Sequence, residues 1–340
     1  MTPSLLAPGH TRSRFQRASL EFVQNLFRQK ATLALRRARL GGKQRLKAEF
    51  WPESGADSTR RYDAVCIPST ELKLSVEMQP LYTPENTTVA YQLNWSMALF
   101  GTGELPSSDV WMDDLKMATE SDGVRILEHH AAAANVSLFL VSAKPNVSPS
   151  QIVRSVKGRW QYLIRGVSPK AFRRNYSISS VGEAKFDVLE RYVALQPQNH
   201  PMADADVQRR IVALQFHDAS VNLSTDRISS HGRFIHSLHV VVENESGWNE
   251  IRNDVLNRSR RMIIDSAAKH RWGLARIGIV SNHLHVLLTA DVTESPESVA
   301  ISLMNNLAYV QGMKPLLRFS YYVGTFGEYD RAAIRKKLRT

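Results

Sequence analysis

The sequence is poor in cysteine, in acidic side chains and in long apolar runs. One cysteine, Cys66, in 340 residues excludes a disulfide framework and a cysteine-rich zinc module, and favours a reducing compartment. No apolar run approaches the roughly 18 residues that a membrane helix needs. The N-terminus also lacks the apolar stretch of a signal peptide. We therefore expect an intracellular protein that does not associate with membranes.

Positive charge is in excess and is concentrated near the N-terminus. The chain has 44 Lys and Arg against 32 acids, a net charge of +12, which favours a polyanionic partner. Residues 11–48 hold eleven Lys and Arg and one acid, Glu21, with apolar residues at helical spacing. This segment is either a solvated helical face or an arm that contacts phosphates. In the second case Arg36, Arg37 and Arg39 are candidate DNA contacts.

The remainder of the chain contains an internal repeat. Three pairs of segments resemble each other in the same order, 91–99 with 235–243, 135–150 with 282–297, and 175–183 with 320–328. Four matched positions in these pairs are offset by 144 to 147 residues, as from Tyr176 to Tyr321. Such self-similarity predicts a duplicated unit. The expected divisions are a basic helical N-terminal region (1–85), copy one (86–200), a linker (201–232) and copy two (233–340).

Each copy has strand and helix signals in alternation. Ser295 followed by Pro296, for example, is typical of a helix N-terminus. Alternation of this kind predicts an α+β fold in which helices lie on one side of a mainly antiparallel sheet.

Two histidines in copy two form a candidate metal site. His283 and His285 are two residues apart in a strand pattern, so their side chains point to the same face. Two imidazoles on one face can share a divalent metal, although two unrelated surface histidines would give the same pattern. Asn135 and Ser137 stand at the matching place in copy one and are poor substitutes, so that copy is not expected to hold a metal.

A tyrosine and an amide in copy one form a second candidate. Tyr192 and Gln196 are one turn apart on a helix expected to end before Pro197. This spacing could place a nucleophile beside a metal ligand, or it could mark a structural tyrosine. The position that matches Tyr192 in copy two is Lys337. Copy one therefore has the tyrosine without the histidines, and copy two the reverse.

Copy one also carries cations interleaved with an aromatic residue. Such patterns suit single-stranded nucleic acids, because bases stack on rings while cations neutralise the backbone. The alternative for Trp160 is a place in the core. The candidate contacts are Lys157, Arg159, Trp160, Arg173 and Arg174.

These segments together resemble the single-tyrosine HUH transposases, that is, the small insertion-sequence transposases and the REP-associated tyrosine transposases. The resemblance runs in two passes from about residue 88 to 340. It rests on VSNHLHVLL, VSPSQIVRSVKGRW, RNYSISSVG and VLERYVALQ. It implies ferredoxin-like or RRM-like sheets, recognition of single-stranded or hairpin DNA, and strand cleavage through a 5′-phosphotyrosine.

The resemblance also implies roles for individual residues. His283, His285 and Gln196 would bind Mg²⁺ or Mn²⁺, and Tyr192 would be the nucleophile. Family members are homodimers in which the tyrosine helix of one subunit can complete the histidine pair of the other. Because both halves lie in one chain, we expect two tandem domains that form a pseudodimer with one composite active site. Such a chain could work as a monomer, in the cytoplasm at the nucleoid.

Two other functions remain open on the sequence. The incomplete second site would suit a DNA-binding protein without catalysis, such as a repressor or an accessory factor. An RRM-like sheet would also suit an RNA-binding module, although the sequence has no strand of the RNP type.

Overall fold

Twelve strands form two six-stranded sheets in residues 79–339, the part of the chain that the structure, a computed structural model, describes. Residues 80–340 form one compact unit by themselves. The basic region expected at the N-terminus, with Arg36, Arg37 and Arg39, lies outside the described residues.

The first half of this unit contains five strands and four helices. They are β1 (Thr88–Gln92), β2 (Asn94–Gly101), α1 (Met112–Ser121), β3 (Val124–Ala133), β4 (Val136–Ala143), α2 (Pro149–Ile164), β5 (Phe172–Val181), α3 (Phe186–Ala194) and α4 (Gln196–Asn199).

The second half begins with a helix and two very short strands. Its elements are α5 (Ala205–Ala213), β6 (Phe216–His217), β7 (Arg227–Ser229), β8 (Gly232–Ile235), β9 (Ser237–Asn244), α6 (Asn253–His270), β10 (Gly273–Ile279), β11 (His283–Thr289), α7 (Pro296–Val310), β12 (Leu317–Thr325) and α8 (Arg331–Arg339).

The two sheets have the same strand order. The first sheet runs β3-β4-β2-β5-β8-β7, and the second runs β10-β11-β9-β12-β1 with β6 added beside β10. Neighbouring strands are antiparallel except for two equivalent pairs, β5 with β8 and β1 with β12. The α+β class and the mainly antiparallel sheets agree with the sequence prediction.

The two halves exchange equivalent strands, β1 of the first half and β8 of the second. Strand β1 pairs with β12 in the second sheet, and the chain then enters the first sheet as β2. Strand β8 pairs with β5 in the first sheet, and the chain then enters the second sheet as β9. The chain therefore changes sheet at Leu93, between β1 and β2, and at His236, between β8 and β9.

The two halves also exchange the helices that follow β5 and β12, at a crossing made by two glycines. A Cβ atom on Gly182 would lie 2.6 Å from the carbonyl oxygen of Thr325, and one on Gly327 would meet the carbonyl oxygen of Ser180. After this crossing, α3 packs on β10 of the second sheet and α8 packs on β3 and β4 of the first. Since a side chain at either glycine would collide with backbone, the crossing requires glycine at both positions.

Two equivalent hydrogen bonds stabilise the crossing. The hydroxyl of Ser180 donates to the carbonyl oxygen of Phe326, and the hydroxyl of Thr325 donates to that of Val181, both at 2.7 Å. Ser180 and Thr325 are 145 residues apart, as are Val181 and Phe326. This is the same offset that relates Tyr176 to Tyr321 in the sequence.

Helices lie on both faces of the second sheet, whereas the sequence predicted one: Val286 of β11 packs in the cluster that contains α7, and the next residue, Leu287, packs with Val193 of α3 on the opposite face. The N-termini of α2 and α7 follow the sequence signals. The hydroxyl of Ser148 accepts the amide N–H of Gln151 at the start of α2, and the hydroxyl of Ser295 accepts that of Ser298 at the start of α7. Each cap satisfies an amide that the first turn leaves unpaired. In the described part of the chain, no helix has the length and apolar character of a membrane span.

The expected linker, residues 201–232, contains regular structure. The Asp204 carboxylate caps α5 by accepting the amide N–H groups of Asp206 and Val207. Val207 and Ile211 are buried, while β6 and β7 extend the edges of the two sheets. The polar and turn-forming residues that indicated a linker are the caps and turns between these short elements.

Candidate active site

The histidine pair lies on one face of β11, in the interior of the second sheet. Strand β11 pairs with β9 on one side and with β10 on the other. The ring centroids of His283 and His285 are 4.9 Å apart, and His285 is only 2% exposed. The alternation of side chains along a strand, from which the sequence prediction started, thus brings the two imidazoles together.

The tyrosine helix of the first half reaches this histidine pair. Tyr192, near the end of α3, has its ring perpendicular to that of His285, with the centroids 5.6 Å apart. Gln196 begins α4, is fully buried, and donates its side-chain N–H to the carbonyl oxygen of Tyr192 at 3.1 Å. Side chains from the two halves of the chain therefore meet at one place.

A glycine permits this close approach of helix and strand. Gly278 on β10 lies directly opposite His285 in the strand pairing. A Cβ atom at this glycine would lie 2.6 Å from Cγ1 of Val193 on α3, a distance that would force the two elements apart. The absence of a side chain at Gly278 thus sets the depth at which the tyrosine helix docks.

An apolar cluster and an ion pair fix the helix to the strand. The Glu190 carboxylate lies 3.1 Å from the Arg276 guanidinium and 2.9 Å from Nε2 of His217. The buried members of the cluster are Val193, Leu223, Ala275, Leu287 and Phe326, against which Phe186, Leu189, Tyr192 and Val221 pack.

Burial governs the protonation of the site. It lowers the pKa of His283 to about 3 and holds the pKa of His285 well below its ordinary value, with the neighbouring imidazoles lowering both further. Both rings are therefore neutral near pH 7, so each retains a lone pair. Burial also raises the pKa of Tyr192, while a hydrogen bond with the side chain of Gln196 acts in the opposite direction.

Hydrogen bonds leave specific atoms free for a ligand. Nδ1 of His283 lies 2.7 Å from Oδ1 of Asn282, an acceptor, so that nitrogen carries the proton and Nε2 keeps its lone pair. Nδ1 of His285 is 2.9 Å from Nε2 of His239. Nε2 of His285 and Oε1 of Gln196 are buried without a hydrogen-bond partner. Buried polar atoms are normally satisfied, so these two atoms fit a cation when His285 donates its Nδ1 proton to His239, which leaves the lone pair on Nε2.

The donor set is two imidazoles and one amide. Among the described residues, no group of three or more His, Cys, Asp or Glu side chains is arranged to hold a metal. A metal held at the histidine pair would therefore need the Gln196 oxygen as a third ligand. Imidazole nitrogens with an amide oxygen suit Mn²⁺ better than Mg²⁺, which prefers oxygen ligands.

One protein family is similar to part of the chain. The sequence model of the family described as "Transposase IS200 like" matches residues 113–196, from the first turn of α1 to Gln196. Residues 113–196 are thus similar to the IS200-like transposases, over about a quarter of the chain. This IS200-like segment includes Tyr192, whereas the histidine pair of β11 lies outside it.

Solved structures give only remote likenesses. The REP-associated tyrosine transposase bound to a REP hairpin is 10% identical, with a TM-score of 0.25, and the match covers 30% of this chain and 62% of that chain. A microcompartment protein from Desulfitobacterium hafniense is 14% identical, with a TM-score of 0.17, and the match covers 72% of this chain and 99% of that chain. A glycine cleavage system transcriptional repressor is 10% identical, with a TM-score of 0.17, and the match covers 69% of this chain and 97% of that chain. These scores carry no argument about the fold, and none of the curated proteins matches the chain.

Two histidines near the site escaped the sequence analysis. The ring of His200, just after α4, lies 5.0 Å from that of His283. His239 on β9 contacts His285, as described above. A signal for His200 was available, because Tyr192, Gln196 and His200 follow one another at steps of four residues. His239 had none, because its contact depends on the pairing of β9 with β11.

Trp160, in the IS200-like segment, is a core residue, and its prediction as a DNA contact is wrong. Its side chain is fully buried among aromatic rings, with centroids 4.1 to 6.3 Å away. A base cannot stack on a ring enclosed in this way. The surrounding residues are Trp111, His129, Phe139 and Phe172.

The four candidate cations of the IS200-like segment differ in their availability. The Lys157 ammonium donates to the carbonyl oxygens of Arg173 and Arg174, and the Arg159 guanidinium is 2.8 Å from the Asp122 carboxylate. The side chains of Arg173 and Arg174 are exposed at the start of β5. These two arginines are therefore the best placed of the set to meet a phosphate.

The counterpart of the histidine pair in the first sheet is Val136 and Leu138. Ser148 and Ser295 cap equivalent helices, and Leu138 precedes its cap by ten residues, as His285 does. The expected match with Asn135 and Ser137 was thus shifted by one residue, which exchanges the faces of a strand. Neither Val136 nor Leu138 can bind a metal, so the first sheet lacks metal ligands at this position.

Proposed function

We propose that this protein is a transposase-like, metal-dependent single-strand DNA endonuclease and strand transferase with one composite active site. Tyr192 would be the nucleophile, and His283, His285 and Gln196 would hold the metal. The observation that carries the proposal is the position of the Tyr192 ring against His285, together with two buried atoms without hydrogen-bond partners, Nε2 of His285 and Oε1 of Gln196. The family of residues 113–196 agrees with DNA processing.

We also propose that the chain is a covalent pseudodimer of two HUH-like domains. The equal strand orders and the reciprocal exchange of β1 with β8 and of α3 with α8 support this interpretation. In this arrangement the first half supplies the tyrosine to the histidines of the second. A single polypeptide can then assemble the site without a partner subunit.

The metal site uses atoms that the protein leaves available. Nε2 of both histidines and Oε1 of Gln196 would be the ligands, with Mn²⁺ or Mg²⁺ as the cofactor. A bound divalent cation would polarise the scissile phosphate and offset the charge that develops on its oxygens. Asn282 orients the ring of His283 by accepting its Nδ1 proton.

Tyr192 supplies the oxygen that attacks phosphorus. The bond from phosphorus to the 3′ oxygen breaks as the bond to the tyrosine oxygen forms, giving a 5′-phosphotyrosine and a free 3′-hydroxyl. The phenol loses its proton to solvent, and the departing oxygen takes one up. Because the phosphoester is retained on the protein, a 3′-hydroxyl can reverse the step and rejoin the strand without ATP.

The DNA partner would be single-stranded or hairpin DNA. Arg173 and Arg174 offer exposed guanidinium groups for its phosphates, and the excess of +12 charges over the whole chain favours any polyanion. The basic N-terminal arginines would add further phosphate contacts. Such a protein would act in the cytoplasm, on the nucleoid.

Incubation with labelled hairpin DNA and Mn²⁺ tests the proposal. A covalent protein–DNA adduct on a denaturing gel is expected for the wild type and is lost in Tyr192→Phe. The matched control is Tyr329→Phe, since Tyr329 is 53% exposed; it should form the adduct normally. An adduct that survives in Tyr192→Phe would place the nucleophile elsewhere.

A DNA-binding protein without catalysis is the second candidate. It is favoured by the apolar pair Val136 and Leu138 at the matching place in the first sheet, since a strand exchange that cuts two ends would ordinarily use two sites. Salt-sensitive binding of hairpins, with no adduct for Mg²⁺, Mn²⁺ or other divalent ions, would support this function over the first.

A further inference from the structure

The two exchanged helices dock through ion pairs of opposite polarity. On α3 the acid is on the helix, and Glu190 contacts Arg276 of β10 at 3.1 Å. On α8 the base is on the helix, and Arg335 contacts Glu128 of β3 at 3.3 Å. The two pairs thus connect equivalent elements with their charges reversed.

The residues of the two pairs occupy equivalent positions. Glu190 and Arg335 are 145 residues apart, the offset that relates Ser180 to Thr325 at the crossing. The helix charge is therefore negative in one half and positive in the other at one and the same structural position.

The strand positions are equivalent by pairing. Arg276 lies opposite Leu287 on β11, and Glu128 lies opposite Leu140 on β4. Leu140 and Leu287 are 147 residues apart, as are the helix caps Ser148 and Ser295 that follow the two strands. Each charged residue therefore stands at the same place in its own sheet.

We propose that this reversed charge assigns each helix to the sheet of the other half, and that Glu190 and Arg276 are the positioning pair of Tyr192. If α3 docked on its own sheet, Glu190 would face Glu128. If α8 docked on the second sheet, Arg335 would face Arg276. Each wrong arrangement brings like charges together, so only the exchanged arrangement satisfies both helices.

Burial makes the selection effective. The side chains of Arg276 and Glu190 are 14% and 26% exposed, and those of Arg335 and Glu128 are 39% and 19% exposed. Like charges in such positions are screened less by salt than charges in open solvent. A buried charge that loses its partner also keeps its desolvation cost.

Reversal of Glu190 and its partner tests the proposal in the full-length protein. Glu190→Arg should release α3, whereas Glu190→Arg with Arg276→Glu should dock it again. Glu190→Gln removes the pair without repulsion and should be intermediate. The matched control is Arg125→Glu, which reverses an exposed ion pair with Glu120 and should have no effect.

Chymotrypsin cleavage after Tyr192 and calorimetric Mn²⁺ binding measure the docking of the helix without DNA. In Glu190→Arg we expect about a tenfold faster cleavage and about a tenfold weaker Mn²⁺ affinity, the effect of ~1.4 kcal/mol. Because His217 also contacts Glu190, the double variant should recover to within about threefold of the wild type.

The alternatives are distinguishable. Equal behaviour of Glu190→Arg and Glu190→Gln, or a double variant that stays undocked or does not fold, would overturn the assignment. The inference rests on the proposed function only where it takes Tyr192 as the nucleophile. The docking of α3 through Glu190 and Arg276 does not depend on that function. A wild type without any DNA adduct but with the expected cleavage pattern would refute the nuclease and leave the positioning pair intact.

Discussion

Tyr192 stands with its ring perpendicular to that of His285 at a centroid distance of 5.6 Å, although the two residues belong to different halves of the chain. Two features bring them together, the crossing at Gly182 and Gly327 and the gap left by Gly278. Neither half alone contains both residues. The proposed chemistry therefore depends on how the halves dock.

The gap at Gly278 gives the first prediction. Gly278→Ala places a methyl group against Val193, so α3 must move away from β10 and carry Tyr192 from His285. We expect at least about a tenfold loss of adduct formation, since catalytic groups need close positioning. The measurement is the rate of adduct formation with hairpin DNA and Mn²⁺.

Two further glycine and valine variants control this result. Gly158→Ala, in α2 with open space around it, should keep the activity and raise stability by up to about 1 kcal/mol. Val193→Ala combined with Gly278→Ala removes the colliding methyl groups and should recover part of the rate. A wild-type rate in Gly278→Ala alone would mean that docking depth does not matter.

Metal binding gives the second prediction. His285→Ala and Gln196→Ala remove the two acceptors that lack partners, and each should weaken Mn²⁺ binding by about tenfold or more. Calorimetric titration of the free protein measures this without DNA. His231→Ala removes an exposed histidine in the turn between β7 and β8 and should leave the affinity unchanged. Equal affinities for all four proteins would exclude this metal site.

Trp160 and the two exposed arginines give the third prediction. Replacing Trp160 should affect folding, whereas replacing the arginines should affect DNA binding. Trp160→Ala should lower the free energy of unfolding by about 3–5 kcal/mol, since it leaves a large cavity in the core. Arg173→Ala with Arg174→Ala should leave that free energy nearly unchanged. The double variant should also reduce the salt dependence of single-strand binding by about 0.7 for each phosphate that it no longer neutralises. Urea denaturation measures the free energy of unfolding, and salt titration measures the salt dependence of binding. If Trp160→Ala changed the binding and not the free energy of unfolding, Trp160 would be a DNA contact after all.

The buried histidines give the fourth prediction. Burial lowers the pKa of His129 and His236 to about 4 and that of His239 and His283 to about 3. The unfolded chain takes up protons at these rings below about pH 6.5, whereas the folded protein does not until much lower pH. Above pH 6.5 these rings should therefore not lower the free energy of unfolding. Below that pH the free energy of unfolding should decrease as the pH falls toward 4. A melting temperature that stays constant from pH 7 to 4.5 would contradict this.

The sequence predicted those parts of the fold that depend on local pattern. Alternation along a strand placed His283 and His285 on one face, and the Ser148 and Ser295 signals located two helix N-termini. The repeat at a nearly constant offset anticipated the equal order of the two sheets. Each of these features is encoded within a few residues.

The parts that were missed or wrong depend on long-range packing. Nothing local shows that β1 pairs with β12, or that His239 lies beside His285. Trp160 lies among cations in the sequence but points to the core, because a helix presents its two faces to different surroundings. The one-residue error at Ser137 has no such cause, because the pairing of 135–150 with 282–297 already places Val136 and Leu138 opposite His283 and His285.

Peptide mapping of the covalent adduct tests the central claim most directly. After reaction with hairpin DNA and Mn²⁺, the protein is digested with protease and nuclease, and the peptide that carries a nucleotide is identified by mass spectrometry. We expect the added mass on Tyr192, and its loss when His285 is replaced by alanine. A nucleotide on another residue, Tyr329 included, or an adduct that forms unchanged without His285, would contradict it.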